Sequence, residues 1–231
     1  MKKVILAGAM SLAICSSYAG VKLDSEEAKL SYAIGSDLGR NFKAQSIKIN
    51  PDIFLQGMKD SLSGNKRLMS DKETQKTLQA FQKQMLLKRL ESYKKEASSN
   101  KQKGEKFLEQ NKKNPGIVTT KSGLQYKVLK KGAGLSPKIN DSVLVEYTGK
   151  LLNGKVFDSS VKTGKPATFQ VNQVIAGWTE ALQLMKPGGE WEIFVPSNLA
   201  YGPRGTGSPI GPNETLVFNI KLISIQKKNN S

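Results

Sequence analysis

The sequence contains no histidine, and its one cysteine, Cys15, lies close to the N-terminus. Without histidine, a Ser-His-Asp or Cys-His nucleophile arrangement cannot be built. A zinc site would also lack the ligand types that zinc prefers in proteins. Any chemistry of this chain must therefore rest on shape, hydrogen bonds and carboxylates, and we expect neither a metal nor another cofactor.

Long apolar runs are scarce in this sequence. One lies in the N-terminal segment. Two lysines precede an apolar run at residues 4–14, and small and polar residues follow up to Ala19. This pattern predicts a secretory signal peptide at residues 1–19, because the run is too short for a bilayer, which needs ~20 apolar residues. Lipidation at Cys15 is an alternative, although a bulky isoleucine precedes it. We expect an exported protein that is periplasmic, associated with the outer membrane or secreted.

Acidic residues are few relative to basic ones, with 19 against 36 and a formal net charge of +17. A nucleic-acid-binding protein usually concentrates basic residues on one face between aromatic stacking platforms. Here the basic residues are spread along the chain, and the long middle segment has almost no aromatic residues. We therefore expect a solvated basic surface and no nucleic-acid partner. Peripheral contact with an anionic surface, such as the outer membrane or the cell surface, is the alternative.

Residues 20–69 carry two amphipathic patterns that predict two short helices. Asn50 and Pro51 have the order of a helix cap and first position, and Gly64 ends the second helix. A unit of this size cannot bury both stripes alone, so we predict a homodimer through these helices. Docking onto the rest of the same chain is the alternative. The stripes are Leu30, Ile34, Leu38 and Phe42, and Phe54, Leu55, Met58 and Leu62.

Residues 70–113 predict one long connecting helix. Ser70 and Glu73 have the spacing of a capping box, and the residues that follow are good helix formers without proline. Apolar residues lie in the first half, whereas residues 97–106 are nearly all polar. We expect the first half to pack near the dimer base and the second half to stand free in water as a spacer, with Gly104 as a point of bending.

From Ser122 onward the apolar pattern has a period of two residues, which predicts half-buried antiparallel strands. Helical spacing returns from Trp178 to Met185, and a further strand is predicted at residues 191–195. The fold class is therefore α+β. We expect residues 114–231 to form a twisted antiparallel sheet wrapped on one short helix, joined by the long helix to a small all-α N-terminal region. The alternating positions are Leu124, Tyr126 and Val128; Val143, Val145 and Tyr147; and Leu216, Phe218, Ile220 and Leu222.

Three segments place aromatic and aliphatic residues near the carboxylate of Asp158: VLVEYTGKLLNGKVFDSS at residues 143–160, VIAGW at 174–178 and LAYG at 199–202. The first predicts a strand, an Asn-Gly hairpin and a Phe-Asp pair. Together they resemble the FKBP family of peptidyl-prolyl cis/trans isomerases. The resemblance implies an FKBP-like fold for residues 114–231.

Longer segments resemble the Mip-like group of this family, the bacterial macrophage-infectivity-potentiator-like isomerases. They are LSYAIGSDLGRNF at residues 30–42, TGKPATFQVNQVIAGWTEALQLM at 163–185 and WEIFVPSNLAYGPRGTGSPIGPNETL at 191–216. The resemblance covers nearly the whole chain after the predicted signal. It implies a homodimer held by the N-terminal helices, long helices as arms, and proline-containing polypeptide clients held between two isomerase domains.

The resemblance also implies a proline-binding pocket with no metal. Trp178 would form the floor beneath the proline ring, and Asp158 would face the substrate carbonyl region. The Ile175 N–H and the Tyr201 hydroxyl would each bind a flanking carbonyl. A macrolide of the rapamycin type is the inhibitor that such a pocket implies. The catalytic residues would be Asp158, Tyr201 and Trp178, and the substrate-binding residues Tyr147, Phe157, Val174, Ile175, Phe218, Pro209 and Ile210, the latter pair closing the rim.

The sequence departs from single-domain eukaryotic members at three places. Thr163 stands where an arginine often partners the aspartate, Ala167 stands where a pocket phenylalanine is common, and the segment at residues 169–178 is shorter. These departures affect the charge around Asp158 and the affinity for bulky macrolides. They do not affect Trp178, the expected floor beneath the proline ring.

The sequence thus predicts an exported peptidyl-prolyl cis/trans isomerase that helps proteins to fold. It would twist X-Pro amides in an apolar pocket without covalent or metal chemistry. The alternative is a docking or adhesion protein that holds proline-containing segments in the same groove with incidental turnover. Release of a proline peptide with a changed isomer ratio separates the two functions.

Overall fold

The computed structural model describes residues 22–64 and 67–226. The predicted signal peptide, with Cys15, lies outside the described residues. The chain divides into two compact units, Met1–Gln75 and Lys76–Ser231. Within the described residues the structure contains four α-helices and a seven-stranded antiparallel sheet, in agreement with the predicted fold class.

Both short helices of the first unit have a capped start, and the second begins and ends at the predicted signals. Helix α1 spans Glu26–Ala44, and the Ser25 hydroxyl accepts an N–H of its first turn at 3.1 Å. Helix α2 spans Pro51–Ser63, and the Asn50 side-chain oxygen accepts two N–H groups of its first turn at 3.0 and 3.2 Å. Gly64 ends α2 in the left-handed conformation that favours glycine. The cap, first position and end predicted for this helix are confirmed.

The apolar stripes of α1 and α2 remain open in the single chain. Leu30 and Ile34 are 61% and 53% exposed, and Leu62 is 81% exposed. The rings of Phe42 and Phe54 meet edge to face with centroids 5.8 Å apart and join the two helices. Exposed apolar stripes of this kind mark interaction surfaces.

Helix α3 spans Asp71–Asn111. Its start is the predicted capping box, because the Ser70 hydroxyl accepts from the Glu73 N–H at 3.2 Å and the Glu73 carboxylate accepts from the Ser70 N–H at 2.9 Å. These reciprocal bonds satisfy N–H groups that a helix start otherwise leaves unpaired. The domain bounds predicted on either side of this helix stay a prediction.

The second unit is built on the antiparallel sheet. Its strands are β1 (Ile117–Thr119), β2 (Gln125–Lys130), β3 (Ser142–Leu151), β4 (Val156–Ser159), β5 (Ala167–Gln170), β6 (Glu190–Val195) and β7 (Leu216–Gln226). Hydrogen-bonded neighbours follow the order β1-β2-β6-β7-β3-β4, and β5 pairs with β3. The pairing of β3 with β7 sets Val145 opposite Leu222 and Tyr147 opposite Ile220. The alternation predicted for β3 and β7 therefore matches the register of the sheet. In β2 the prediction is wrong in part, because Val128 is exposed and Gln125 is buried, where its side chain hydrogen-bonds to α3.

Helix α4, Ala176–Leu184, closes the core of the second unit. Trp178 and Leu182 are buried together with Val143 and Val145 of β3. Met185, directly after the helix, has no exposed surface. The short helix predicted from apolar spacing is thus confirmed, and its buried stripe is the one that the spacing predicts.

The second half of α3 packs against the sheet, so the prediction that it stands free in water is wrong. The rings of Phe107 and Phe194 lie 5.7 Å apart. The Asn111 amide donates to the Gln125 side-chain oxygen at 2.9 Å, and the Gln125 amide donates to a helix carbonyl at 2.9 Å. The prediction failed because it counted apolar residues, whereas amide groups and the buried Gly104 make much of this contact.

The first half of α3 carries exposed apolar side chains, among them Leu78, Leu86 and Leu90. Its packing near a dimer base stays a prediction. Over residues 22–64 and 67–226, no helix has the length and apolar character needed to cross a membrane. In the same part of the chain, no cluster of three or more cysteine or acidic side chains could hold a metal ion.

Candidate active site

A cavity of about 380 Å³ opens between the start of α4 and strands β3, β4, β5 and β7. Its volume falls in the usual range for small-ligand pockets, roughly 300–1,000 Å³. The structure brings together most of the residues predicted for the site. Those that line the cavity are Tyr147, Phe157, Asp158, Val174, Ile175, Trp178, Tyr201 and Phe218.

Trp178 lies at the centre of the aromatic lining. The centroid of its indole lies 5.1 Å from Tyr147, 5.3 Å from Phe218 and 5.7 Å from Phe169, at interplanar angles of 80° to 87°. Edge-to-face pairs of this kind contribute about 0.5–1.5 kcal/mol each beyond burial. The indole is 5% exposed. Contacts with three rings therefore make it a rigid apolar floor.

Gly149 on β3 allows two rings of the wall to meet. An added Cβ at this position would lie 2.6 Å from the Phe157 ring and 2.8 Å from the Phe218 ring. The two rings pack at right angles with centroids 5.6 Å apart. Any side chain at position 149 would displace them. Sequence reasoning missed this residue, although a glycine inside a strand pattern often marks such a close approach.

The polar edge of the pocket consists of Asp158 and two tyrosines. The Tyr147 hydroxyl donates to Asp158 Oδ2 at 2.7 Å. Burial, this hydrogen bond and the Asp158 charge raise the pKa of Tyr147. Burial and the Asp158 charge also raise the pKa of Tyr201. Both shifts start from an ordinary value near 10, so both hydroxyls are protonated donors at neutral pH.

The segment that leads into α4 is fixed by hydrogen bonds. The Thr179 hydroxyl donates to the Val171 carbonyl at 2.7 Å. The Ile175 carbonyl accepts from the N–H groups of Trp178 and Thr179 at 2.9 and 3.0 Å. These contacts hold Val174 and Ile175 at the edge of the cavity, directly before the tryptophan that forms its floor.

The indole N–H of Trp178 is a buried donor for which the described residues provide no hydrogen-bond partner. Leaving a buried donor unpaired costs about 1–3 kcal/mol. The surrounding rings can offer it only weak N–H···π contacts. The floor of the pocket therefore contains one buried donor that the described residues leave unpaired.

Two residues predicted at the rim lie outside this lining. Ile210 is 4% exposed and belongs to the core cluster, and Pro209 is exposed on the same loop. Their role at the rim stays a prediction. Conversely, Phe169 and Gln173 line the cavity, although sequence reasoning did not select them.

Phe169 provides an aromatic ring on the strand that carries Ala167. Both residues lie on β5, and residues two apart on a strand share one face. From that face the Phe169 ring packs against Tyr147 at 5.7 Å as well as against Trp178. The period of the strand could have revealed this ring. The side chain of Thr163 lies outside the described part of the structure.

Comparison with protein families agrees with this pocket. Residues 134–223 match the family model of FKBP-type peptidyl-prolyl cis-trans isomerase, and residues 27–128 match that of the domain amino terminal to FKBP-type peptidyl-prolyl isomerase. The chain belongs to the FKBP-type peptidyl-prolyl cis-trans isomerases. The enzyme class predicted from the sequence is confirmed.

Relatives of this isomerase match it over nearly its whole length. The outer membrane protein MIP of Legionella longbeachae is 53% identical over 97% of this chain and 98% of its own. The peptidyl-prolyl cis-trans isomerase Mip of Coxiella burnetii is 48% identical over 92% of this chain and 93% of its own. The isomerase is therefore Mip-like, as predicted.

Solved structures agree with its fold. The crystal structure of FkpA from Escherichia coli aligns with a TM-score of 0.71 at 36% identity, over 89% of this chain and 99% of that chain. An isomerase structure from Pseudomonas syringae pv. tomato aligns with a TM-score of 0.54 at 37% identity, over 57% of this chain and 96% of that chain. The predicted fold class is confirmed.

Proposed function

We propose that this isomerase acts outside the cytoplasm as a folding helper that twists X-Pro amides in the aromatic pocket. The observation that carries the proposal is the pocket itself. Its floor is the Trp178 indole between nearly perpendicular rings, and its polar edge is the Tyr147–Asp158 pair. The substrates are proline-containing polypeptides.

The physical basis of the reaction is amide resonance, which sets a barrier of ~18–20 kcal/mol for isomerisation. In the twisted amide this resonance is broken, the nitrogen gains a lone pair and the carbonyl loses charge. A water-excluding apolar site therefore favours the twisted amide over the planar one. Lowering the barrier by ~7 kcal/mol raises the rate by about 10⁵. No proton transfer and no covalent bond is needed.

Each residue predicted for the site has a role in this proposal. The proline ring lies on Trp178, Asp158 faces the substrate carbonyl region, and the Tyr201 hydroxyl donates to a flanking carbonyl. The raised pKa of Tyr201 supports its role as a donor. The Ile175 N–H binds a second carbonyl. The apolar walls are Tyr147, Phe157, Val174 and Phe218, and Pro209 and Ile210 close the rim.

The N-terminal helices form a homodimer in this proposal. The exposed stripes of α1 and α2 support it, since two copies would cover each other's apolar side chains. Residues 20–69 are then the dimerisation region, 70–113 the connecting helix and 114–231 the isomerase domain. Two tethered pockets can hold one client chain between them.

Export of the protein rests on the predicted signal at residues 1–19. The similarity to the outer membrane protein MIP of Legionella longbeachae supports association with the outer membrane, and the net charge of +17 supports contact with an anionic surface. Lipidation at Cys15 would give a second anchor. A macrolide of the rapamycin type is the expected inhibitor of the pocket.

Exchange NMR on a short Leu-Pro peptide tests the catalytic proposal without a coupling enzyme. We expect the protein without residues 1–19 to accelerate cis/trans exchange and Trp178→Ala to do so weakly. Peptide binding with no change in the exchange rate would favour the docking function instead. Mass spectrometry of the protein from its native cell envelope tests export, with an N-terminus at Gly20 as the expected result and an intact N-terminus in the cytoplasm as the contrary one.

A further inference from the structure

Tyr201 stands directly before residues 202–215, which rest on the second half of α3 within the second unit. We refer to residues 202–215 as the rim loop and to their contact with α3 as the seam. The seam consists of Tyr93, Ala97, Asn100 and Gly104 of the helix and Pro203, Pro212, Asn213 and Thr215 of the loop.

Hydrogen bonds hold the rim loop to the helix at both of its ends. Near its start, the Tyr93 hydroxyl donates to the Pro203 carbonyl, close to Tyr201 in the chain. Near its end, the Asn100 amide donates to the Pro212 carbonyl at 3.0 Å. The contacts come from side chains on one face of α3, so the helix fixes the distance between the loop's ends.

A hydrogen bond also joins the end of the rim loop to its start. The Asn213 side-chain amide donates to the Ala97 carbonyl at 3.2 Å, and the Asn213 backbone N–H donates to the Gly202 carbonyl at 2.9 Å. The Gly205 N–H donates to the same carbonyl at 3.3 Å. Because Gly202 is bonded to Tyr201, a displacement of Asn213 from the helix reaches the tyrosine through one peptide unit.

Gly104 lets the helix lie directly on the end of the rim loop. An added Cβ at this position would lie 2.3 Å from Thr215 Oγ1 and 3.2 Å from Thr215 Cβ. Both residues are buried. The position expected to bend the helix is therefore a packing position with no room for a methyl group.

We propose that α3 positions the rim loop for catalysis, so that the Tyr201 hydroxyl meets a bound carbonyl. This inference rests on the role of Tyr201 in the proposed function. Asn100 and Asn213 are positioning residues, since neither lines the pocket and both act through Tyr201. The isomerase activity of the sheet domain thus depends on the helix that precedes it.

Three substitutions in full-length protein remove the seam hydrogen bonds and leave the pocket lining intact: Tyr93→Phe, Asn100→Ala and Asn213→Gly. Glycine suits position 213, where asparagine has a φ of 55°. In the triple variant, kcat/KM on a Leu-Pro peptide should fall by about three- to tenfold, as expected when bonds that position a group are lost. Gln102→Ala, which removes an amide from the exposed side of the same helix, should leave kcat/KM unchanged.

A double-mutant cycle shows whether the loss passes through Tyr201. In a Tyr201→Phe background the seam substitutions should have almost no effect, because no hydroxyl remains to be positioned. Hydrogen exchange on the same proteins reports the state of the loop. The backbone amides at positions 205 and 213 should exchange faster in the triple variant.

A size rescue tests the packing part of the seam. Gly104→Ala should lower kcat/KM, because its methyl group would collide with Thr215 Oγ1. Adding Thr215→Ala removes that atom and should restore turnover. Rescue would show that the collision with Thr215, and not the alanine in the helix as such, causes the loss.

The inference is overturned if kcat/KM is unchanged in a triple variant whose loop amides exchange faster, or if those amides do not exchange faster. It is also overturned if the fall is equal with and without the Tyr201 hydroxyl, or if Thr215→Ala gives no rescue. Failure of the proposed function is a separate result, because then the unsubstituted protein itself would not accelerate exchange of the peptide.

Discussion

At the scale of single residues, Tyr147 contributes both to the aromatic floor of the pocket and to its polar edge. The ring of Tyr147 packs edge to face on Trp178, while its hydroxyl donates to Asp158. A change at this tyrosine would therefore disturb the floor and the polar edge together. Asp158 and Tyr201 are better probes of the chemistry, because neither belongs to the buried core cluster.

Asp158→Ala and Tyr201→Phe should each lower kcat/KM on a Leu-Pro peptide while the melting temperature stays close to that of the unsubstituted protein. Trp178→Ala should lower both, since truncating a buried aromatic residue typically costs about 3–5 kcal/mol of stability. Exchange NMR and thermal unfolding measure the two effects.

Tyr126→Phe is a matched control for Tyr201→Phe. Tyr126 stacks on Trp191 at 4.2 Å and does not line the pocket. The control should therefore keep full turnover. Normal turnover in folded Asp158→Ala and Tyr201→Phe proteins would refute the assigned roles.

Turnover should be nearly flat between about pH 6 and 8. The chain has no histidine, and the pKa values of Tyr147 and Tyr201 are raised from an ordinary value near 10, so their hydroxyls keep their protons across this range. The measurement is kcat/KM by exchange NMR at several pH values. A sigmoid with a midpoint above 6 that disappears in Asp158→Asn would show instead that this carboxylate controls the rate.

At the scale of elements, the period of the apolar residues predicted those strands and helices that pack through an apolar face. Strands β3 and β7 and helix α4 bury the alternating or helical positions read from the sequence. The docking of α3 was not predictable in this way. It depends on Asn100 and Asn111, which hydrogen-bond to partners distant in sequence. It also depends on Gly104, because the lack of a side chain there lets the helix backbone approach Thr215.

The candidate site likewise contains residues that could be predicted from the sequence and one residue that could not. The resemblance to the FKBP family, carried by short segments that include Tyr147, Asp158 and Trp178, predicted a pocket at these residues, and the structure places all three around one cavity. Gly149 could not be ranked above other glycines from one sequence, since its effect appears only when the rings of two other strands meet over it.

Glu214→Gln should raise the melting temperature at pH 7, and the gain should shrink towards pH 4. Burial and the neighbouring Glu96 charge raise the pKa of Glu214, and Lys103 offsets part of the shift. The carboxyl group of Glu214 therefore binds its proton more tightly in the folded protein than in the unfolded chain, so the protonated form stabilises the fold. That stabilisation is present below the unfolded pKa and is lost as pH rises through the folded pKa.

Glu109→Gln is the control for this pH dependence. The hydrogen bond and charge of Lys112 lower the pKa of Glu109, so its substitution should not raise the melting temperature at pH 7. An equal gain in both variants would indicate a general effect of reduced charge. A gain for Glu214→Gln that does not change with pH would contradict the assigned cause.

At the scale of the whole molecule, the boundary between the two compact units lies inside α3. A fragment of residues 76–231 keeps the seam, whereas a fragment of residues 115–231 loses it and uncovers Phe194, which Phe107 contacts. The longer fragment should turn over a Leu-Pro peptide like the full chain. The shorter one should melt at a lower temperature and have a lower kcat/KM. Equal melting temperatures and equal turnover would show that the second half of α3 contributes nothing to the domain.

Large clients should distinguish the full chain from residues 76–231 where short peptides do not. If the stripes of α1 and α2 form the dimer, the full chain sediments as a dimer and the fragment as a monomer. Two tethered pockets raise the effective concentration of the second site for a client that can reach both, an advantage that a short peptide cannot use. At equal concentrations of pockets, the full chain should therefore speed proline-limited refolding of a large protein more than the fragment does, while kcat/KM on the peptide stays equal. A full chain that sediments as a monomer would refute the dimer, and equal refolding rates with a confirmed dimer would show that the two pockets act independently.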